Sequence, residues 1–236
     1  MKTSEPLHIG IVACSFEGAA LCYRTICDEG AEYFGRNAHP DISLHTHSLA
    51  RYEEPLDAGN MEGVAALMLS SANALKRAGA DFLVCPDNTI HQAFSRVAPK
   101  SPLPWLHIAQ EVASEAKRRG FKRLALTGTR WLVDSNVYPE QISAAGLECV
   151  KPSLEERVDI HEIILDELVR GIVNPASVTR FQKIIGHLKD DGCDAVILGC
   201  TEIPLIMNDG NSPLPTLDST RLLARAALRR AAGVTA

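Results

Sequence analysis

Two short polar segments carry the side chains most able to do chemistry, and they occupy matching places in a repeated stretch of chain. Residues Gly79-Ala80-Asp81-Phe82-Leu83-Val84-Cys85-Pro86-Asp87-Asn88-Thr89-Ile90 line up with Gly192-Cys193-Asp194-Ala195-Val196-Ile197-Leu198-Gly199-Cys200-Thr201-Glu202-Ile203. In each, a helix-ending glycine and an apolar run lead to a polar tip, Asp87-Asn88-Thr89 in one and Cys200-Thr201-Glu202 in the other. A carboxylate and a thiol presented from opposite sides can move a proton off one face of a carbon and onto the other. The Cys200 thiol, at a strand end before a helix opening, is expected near backbone N–H groups that favour thiolate. Gly199 is expected to let a substrate come close. Asp87 has three readings open: a base, a ligand for a substrate ammonium, or a helix N-cap.

Other groups can support this pair. Asn88, Thr89 and Thr201 offer amide and hydroxyl donors that can hold a substrate carboxylate and a developing enolate. His91 and Glu202 follow the tips and can relay protons or satisfy backbone. Arg51 and Arg170 are the candidate cations for an acidic substrate group. Thr127-Gly128-Thr129-Arg130 can add hydroxyls, and Ser15, in Ala13-Cys14-Ser15 at another strand end, can touch substrate. Strand alternation points Cys85 the same way as Asp87, one step deeper.

The elements that must position these groups follow an α/β pattern. Strands are expected at Leu7–Ala13, Asp41–Ser48, Asp81–Cys85, Lys122–Thr127 and Asp194–Leu198. Helices are expected at Ser15–Tyr33, Met61–Ala78, Glu140–Ala145, Arg157–Gly171, Val178–Lys189 and Arg221–Ala232. Two further anchors repeat in the same order: Ser101-Pro102-Leu103-Pro104 with Ser212-Pro213-Leu214-Pro215, and Ile9–Cys14 with Leu124–Thr129. A period this long is a duplicated domain rather than a solenoid. The expectation is therefore two similar doubly wound parallel-sheet domains, related by a pseudo-twofold axis, with the active site in the cleft between them. Residues 1–105, completed by 212–236, would form one domain and 106–211 the other, with a linker near Pro102–Leu106.

Composition narrows the class. The 236 residues are 46% hydrophobic and 22% charged, with a net charge of −5, which fits a globular chain. There is no basic run, so nucleic-acid binding is disfavoured. No segment approaches the length of a membrane span, and Met1–Pro6 does not read as a signal peptide. The seven cysteines form no CxxC pair or zinc-type spacing, so no metal site is expected and a reducing cytoplasm is.

The two tips give the chain a family likeness. Pro86-Asp87-Asn88-Thr89-Ile90-His91 resembles the Pro-Cys-Asn-Thr-Ala-His motif of the aspartate/glutamate/hydantoin racemase superfamily, and Gly199-Cys200-Thr201-Glu202 resembles its Gly-Cys-Thr-Glu motif. Asp166–Gly171, with Arg170, sits where the aspartate racemases carry a basic substrate ligand, and Arg51 falls near another. The resemblance implies a cofactor-independent isomerase of two α/β domains, commonly a homodimer, acting on an acidic amino acid with one cysteine for each face of the α-carbon. The chain departs from the motif at the first cysteine, which is Asp87, and at the family's opening Gly-Gly-Met, here Ala13-Cys14-Ser15. The resulting expectation is racemisation by Cys200 and Asp87 on a small amino acid or related carboxylate. Two other functions remain open: a single-thiol lyase or decarboxylase of malonate type, and an inactive ligand-binding homologue.

Overall fold

The computed structural model describes residues 5–234, so most of the leader reading over Met1–Pro6 lies outside the described residues. The chain divides into two compact units, Met1–Ile108 with Thr220–Ala236, and Ala109–Ser219. In the first unit, β1 (Ile9–Ala13), α1 (Phe16–Glu29), β2 (Ile42–Thr46), α2 (Leu49–Asp57), α3 (Met61–Arg77), β3 (Phe82–Val84) and β4 (Trp105–Leu106) follow in order. Their sheet has the order β2-β1-β3-β4 and every pairing is parallel, with Ile11 opposite both Leu44 and Val84.

Alternation along β1 and β3 separates two cores. Ile9, Ile11, Ala13, Phe82 and Val84 face one layer, where they meet Ala19, Cys22 and Ile26 of α1. Val12, Cys14, Leu83 and Cys85 face the other, against Val64, Ala65, Met68 and Leu75. All five residues of β1 are buried, as a central parallel strand covered on both faces requires. The first layer is completed by the last helix of the chain, Ser219–Ala231. Its Leu223, Ala224, Ala227, Leu228 and Ala231 join that core. Arg225 also pairs with Glu29 at 2.7 Å.

In the second unit, α4 (Ile108–Arg118), β5 (Arg123–Thr127), α5 (Val137–Ala144), β6 (Glu148–Val150), α6 (Leu154–Glu162), α7 (Pro175–Asp190), β7 (Ala195–Leu198) and β8 (Thr216–Asp218) lead to that last helix, α8. The sheet order is β6-β5-β7-β8, again all parallel and the same winding as the first. The fold is thus α/β, with two parallel four-stranded sheets flanked by helices.

The repeated sequence does repeated work. Gly79 and Gly192 end α3 and α7 with φ of 95° and 90°, a backbone that residues with a Cβ rarely adopt. Two residues on, Asp81 accepts from the backbone N–H of His8 at 2.8 Å. Asp194 likewise accepts from Lys122 at 2.7 Å and Arg123 at 3.1 Å, so each aspartate ties the start of the neighbouring strand. The Ser-Pro-Leu-Pro turns also match, with Pro104 and Pro215 carbonyls accepting from Leu83 and Val196.

Three local expectations are corrected. The linker expected near Pro102–Leu106 includes the edge strand β4 at Trp105–Leu106, and the first unit runs on to Ile108. The helix expected over Arg157–Gly171 starts earlier, behind a Ser153–Glu156 capping box. It then breaks into a π-helical turn at Ile163–Glu167 and a 3₁₀ turn at Leu168–Arg170, ending at Gly171 with φ 72°. The segment after Ser48, given no element from sequence, is α2, with Pro55 inside it.

Candidate active site

In a sheet ordered β2-β1-β3-β4, the chain first winds outward from β1 to β2 and then crosses back to β3. The carboxyl ends of β1 and β3 therefore lie at the switch of direction, where such sheets bind ligands. Those ends are Cys14-Ser15 and Cys85-Pro86-Asp87. In the second unit the same logic selects the ends of β5 and β7, Gly128-Thr129 and Gly199-Cys200-Thr201. The two polar tips sit at the position the topology favours in each unit.

At the first tip, Asp87 is half-buried and does cap the turn after it, its Oδ1 accepting from Ile90 N–H at 3.1 Å. That turn is a 3₁₀ helix, Thr89–Ala93, rather than the opening of a long α-helix. The Cys14 thiol hydrogen-bonds the Asp87 carboxylate, and the Cys85 thiol lies 4.0 Å from the Asp87 carbonyl. Burial first, and the Asp87 charge second, push both thiols up. They therefore stay protonated near neutral pH and act as donors. Asn88 is buried. The Ser15 hydroxyl serves as the N-cap of α1, accepting from Gly18 N–H at 3.3 Å.

His91 does not stand open as a relay. Its Nδ1 donates to the Asp87 carbonyl at 2.6 Å and its Nε2 accepts from Ile108 N–H at 3.5 Å, so the ring clamps the turn that carries Asp87. Its neighbour His107 meets it edge-on, with ring centroids 4.7 Å apart. Burial, and then the neighbouring His107, hold His91 well below the usual imidazole range; burial holds His107 down at about 4. An unfolded histidine takes its proton near pH 6.5. The stability these two neutral rings confer is therefore complete above about pH 6.5 and is lost as pH falls toward 4. Each ring costs about 1.4 kcal/mol per pH unit within that window. Urea unfolding at pH 7 and pH 5 is expected to show a loss of roughly 2 kcal/mol or more, and His107→Phe is expected to reduce that pH dependence by about half.

At the second tip, the last residues of β7 are pinned from two sides. Thr127 Oγ1 donates to the Ile197 carbonyl at 2.7 Å, and Ser219 Oγ to that of Leu198 at 2.9 Å. Cys200 follows, half-buried, and its thiol donates to Glu202 Oε2 at 2.8 Å. This corrects the expected environment. A three-residue 3₁₀ turn, Ile203–Leu205 with Pro204 inside it, follows rather than the opening of an α-helix. Glu202, 7% exposed, is a direct partner of the thiol. The Thr129 hydroxyl, at the end of β5, is buried with no hydrogen-bond partner among the described residues. Thr201 is half-buried beside it in sequence to the thiol.

Gly199 is also explained differently from expectation. A Cβ there would lie 2.6 Å from the Thr127 carbonyl oxygen and 2.7 Å from Leu132 Cδ2. The protein itself, not a substrate, occupies that space. Gly199→Ala is expected to cost about 1–3 kcal/mol, lowering Tm by roughly 5 °C in a chain of this size, read by thermal melting.

The two candidate cations are exposed to solvent. Arg51 on α2 is exposed and donates to His47 Nδ1 at 3.0 Å; with Glu54, Asn60 and Leu67 it borders an open cavity of about 340 Å³. Arg170 is 67% exposed and lies 3.8 Å from Asp166. Sequence reasoning missed the Cys14–Asp87 contact, although strand alternation placed Cys85 on the same side as Asp87. All seven cysteines are free thiols, and among the described residues no cluster of three His, Cys, Asp or Glu side chains could hold a metal ion. No helix among the described residues is long and apolar enough to cross a membrane.

Comparison with known proteins places these tips in context. A family model described as Asp/Glu/Hydantoin racemase matches residues 19–227. The chain is 24% identical over 191 residues to the broad specificity amino-acid racemase RacX of Bacillus subtilis (strain 168), covering 79% of this chain and 80% of that one. It is 27% identical over 199 residues to the glutamate racemase of Aquifex aeolicus (strain VF5), covering 80% and 74%. Among crystal structures, a candidate Asp/Glu racemase from Yersinia pestis superposes with a TM-score of 0.89 at 29% identity, covering 95% of this chain and 99% of that one. An aspartate racemase homologue from Pyrococcus horikoshii OT3 gives 0.84 at 27% identity, covering 95% and 98%.

Proposed function

Because this chain belongs to the Asp/Glu/hydantoin racemase family, we propose that it is a cofactor-independent amino-acid racemase or epimerase in which Cys200 and Asp87 transfer the α-proton. The observation that carries this reading is the state of the two tips. The Cys200 thiol faces Glu202 Oε2 at 2.8 Å as a hydrogen-bond donor. Asp87 is a hydrogen-bond acceptor, from Ile90 and from Cys14. One acid and one base at matching strand ends is the arrangement that a proton exchange through a carbanion requires.

In one direction the Asp87 carboxylate takes the α-proton and the Cys200 thiol supplies another, leaving a thiolate and a carboxylic acid; the reverse direction restores them. Backbone donors at the tips, with Asn88, Thr89, Thr201 and the unpartnered Thr129 hydroxyl, stabilise the enolate-like intermediate. We extend the proposal to an acidic substrate of aspartate or glutamate size, recognised by Arg51 and Arg170, with Asp166 competing for the latter. We also propose a homodimer acting in the cytoplasm.

The test is α-proton exchange in D₂O, followed by NMR, with each enantiomer of a panel of acidic and neutral amino acids. Deuterium at the α-carbon together with inversion supports the proposal; its absence from every member ends it. One observation favours a second reading. Asp87 commits an oxygen to capping Ile90, which suits a lyase that uses the Cys200 thiol alone. Release of carbon dioxide from a substituted malonate, without amino-acid exchange, would decide for that reading.

A further inference from the structure

The two cations proposed for the acidic substrate are held in different ways. Arg170 lies 3.8 Å from the Asp166 carboxylate, so the protein already answers part of its charge. Arg51 makes no ion pair among the described residues, even with Glu54, which lines the same cavity. Its Nη1 donates instead to His47 Nδ1 at 3.0 Å. A guanidinium only donates, so Nδ1 offers its lone pair and the ring carries its proton on Nε2. The holder is therefore neutral, and it fixes the cation without cancelling its charge. Burial first, and the Arg51 charge second, hold His47 below the usual imidazole range, which keeps it neutral near pH 7. The ring is itself braced. It meets His45 edge-on at 5.0 Å and lies 6.4 Å from the Tyr52 ring, centroid to centroid. His45 Nδ1 is tied in turn to Ser71 Oγ at 3.0 Å, and Tyr52 and Ser71 are wholly buried. His47 Nε2 is buried with no hydrogen-bond partner among the described residues, which costs stability; the position is not optimised for the fold.

We propose that His47 is the positioning residue for Arg51, and that this pair selects the carboxylate of an acidic substrate over its neutral amide. The inference rests on the proposed role of Arg51 in substrate binding. His47 directly follows β2, and β2 and β3 both pair with β1 in parallel. The His47–Arg51 pair therefore starts at the same edge of the first sheet that bears Asp87. The cavity of about 340 Å³ that Arg51 borders leaves room for a small anion beside the guanidinium. Without the bond to Nδ1, the long Arg51 side chain would sample many rotamers in solvent, and ordering it on binding would cost affinity. Held by His47, it is ordered before the substrate arrives. His47 thus acts through Arg51, without contact to the reacting carbon.

The experiment compares each acid with its amide: kcat and KM for aspartate and asparagine, and for glutamate and glutamine, in each hand. His47→Leu is expected to raise KM for the acids roughly three- to tenfold, the cost of ordering one long side chain on binding. Its kcat is expected to stay within about twofold of the parent, as for a loss of uniform binding, and the amides to be unaffected. In His47→Asn the amide oxygen falls near where Nδ1 stood, and KM is expected to return to within about twofold of the parent. Arg51→Gln is expected to raise KM for the acids about tenfold or more, and His47→Leu in that background to add nothing. The Tm of each variant is expected within about 3 °C of the parent. An unchanged KM in His47→Leu, while Arg51→Gln raises it, overturns the positioning role. Additive losses in the double variant overturn it too, as does an equal loss toward acids and amides, which marks His47 as purely structural. If Arg51→Gln leaves the preference for acids as it was, Arg51 is not the substrate's cation. The inference then falls, while α-proton exchange by Cys200 and Asp87 stands. Absence of exchange in the unsubstituted protein instead defeats the functional proposal, and this inference with it.

Discussion

Cys200→Ser is expected to lower racemisation by about 10³-fold, within the range set by losing a positioned acid–base group. The substitution keeps a donor to Glu202, so the 2.8 Å contact survives in kind. What changes is the acidity of the group. A hydroxyl gives up its proton far less readily than a thiol, so the group can neither protonate the intermediate at the same rate nor persist as an anion afterwards. Because Cys200 is half-buried at the edge of the second unit's core, the Tm is expected to move by no more than about 2 °C, as for a surface-type substitution. Glu202→Gln separates the two roles at this tip. Its amide oxygen still accepts from the thiol but cannot balance a proton, and an intermediate loss of about tenfold is expected. A Cys200→Ser protein that racemises at the parent rate would remove the thiol from the mechanism.

Asp87→Asn is expected to lower inversion by about 10²- to 10⁴-fold while sparing one half of the exchange. The asparagine side chain still offers an oxygen to Ile90 N–H, so the turn is preserved. Without the carboxylate, only Cys200 remains to exchange the α-proton. Deuterium is then expected to enter one enantiomer without inversion, and the other is expected to become inert. A single-thiol lyase makes the opposite forecast: Asp87→Asn leaves turnover of its substrate nearly unchanged. Mass spectrometry of both enantiomers after incubation in D₂O distinguishes the two, because a racemase variant labels one hand only. The equilibrium ratio of the enantiomers is a property of the substrate and stays where it was.

The parts of this molecule that were legible in its sequence are those set by local rules. A glycine after an amphipathic helix, an apolar run of strand length and a polar tip need no knowledge of the rest of the chain, and the winding and both tips followed from them. What escaped depended on partners distant in sequence. The contact of Cys14 with Asp87 needs two strands in register. The role of Gly199 needs the Thr127 carbonyl and Leu132. Nothing in a helical pattern announced the break at Ile163–Glu167 or the ion pair of Arg170 with Asp166. Tyr52 lies in the segment given no element from sequence, where α2 forms with Pro55 inside it and buries the ring.

The placement of α8 has a consequence for how the protein is made. The sheet of β1 to β4 has one flank covered by a helix that is synthesised after the whole of the second sheet. Until α8 leaves the exit tunnel, Ile9, Ile11 and Phe82 lack the apolar cover that Leu223, Ala227 and Leu228 supply. The amino-terminal half must therefore wait, incompletely clothed, through the synthesis of nearly the whole second half. A premature stop before Ser219 would cripple the first unit, although every strand of its sheet would already have been made.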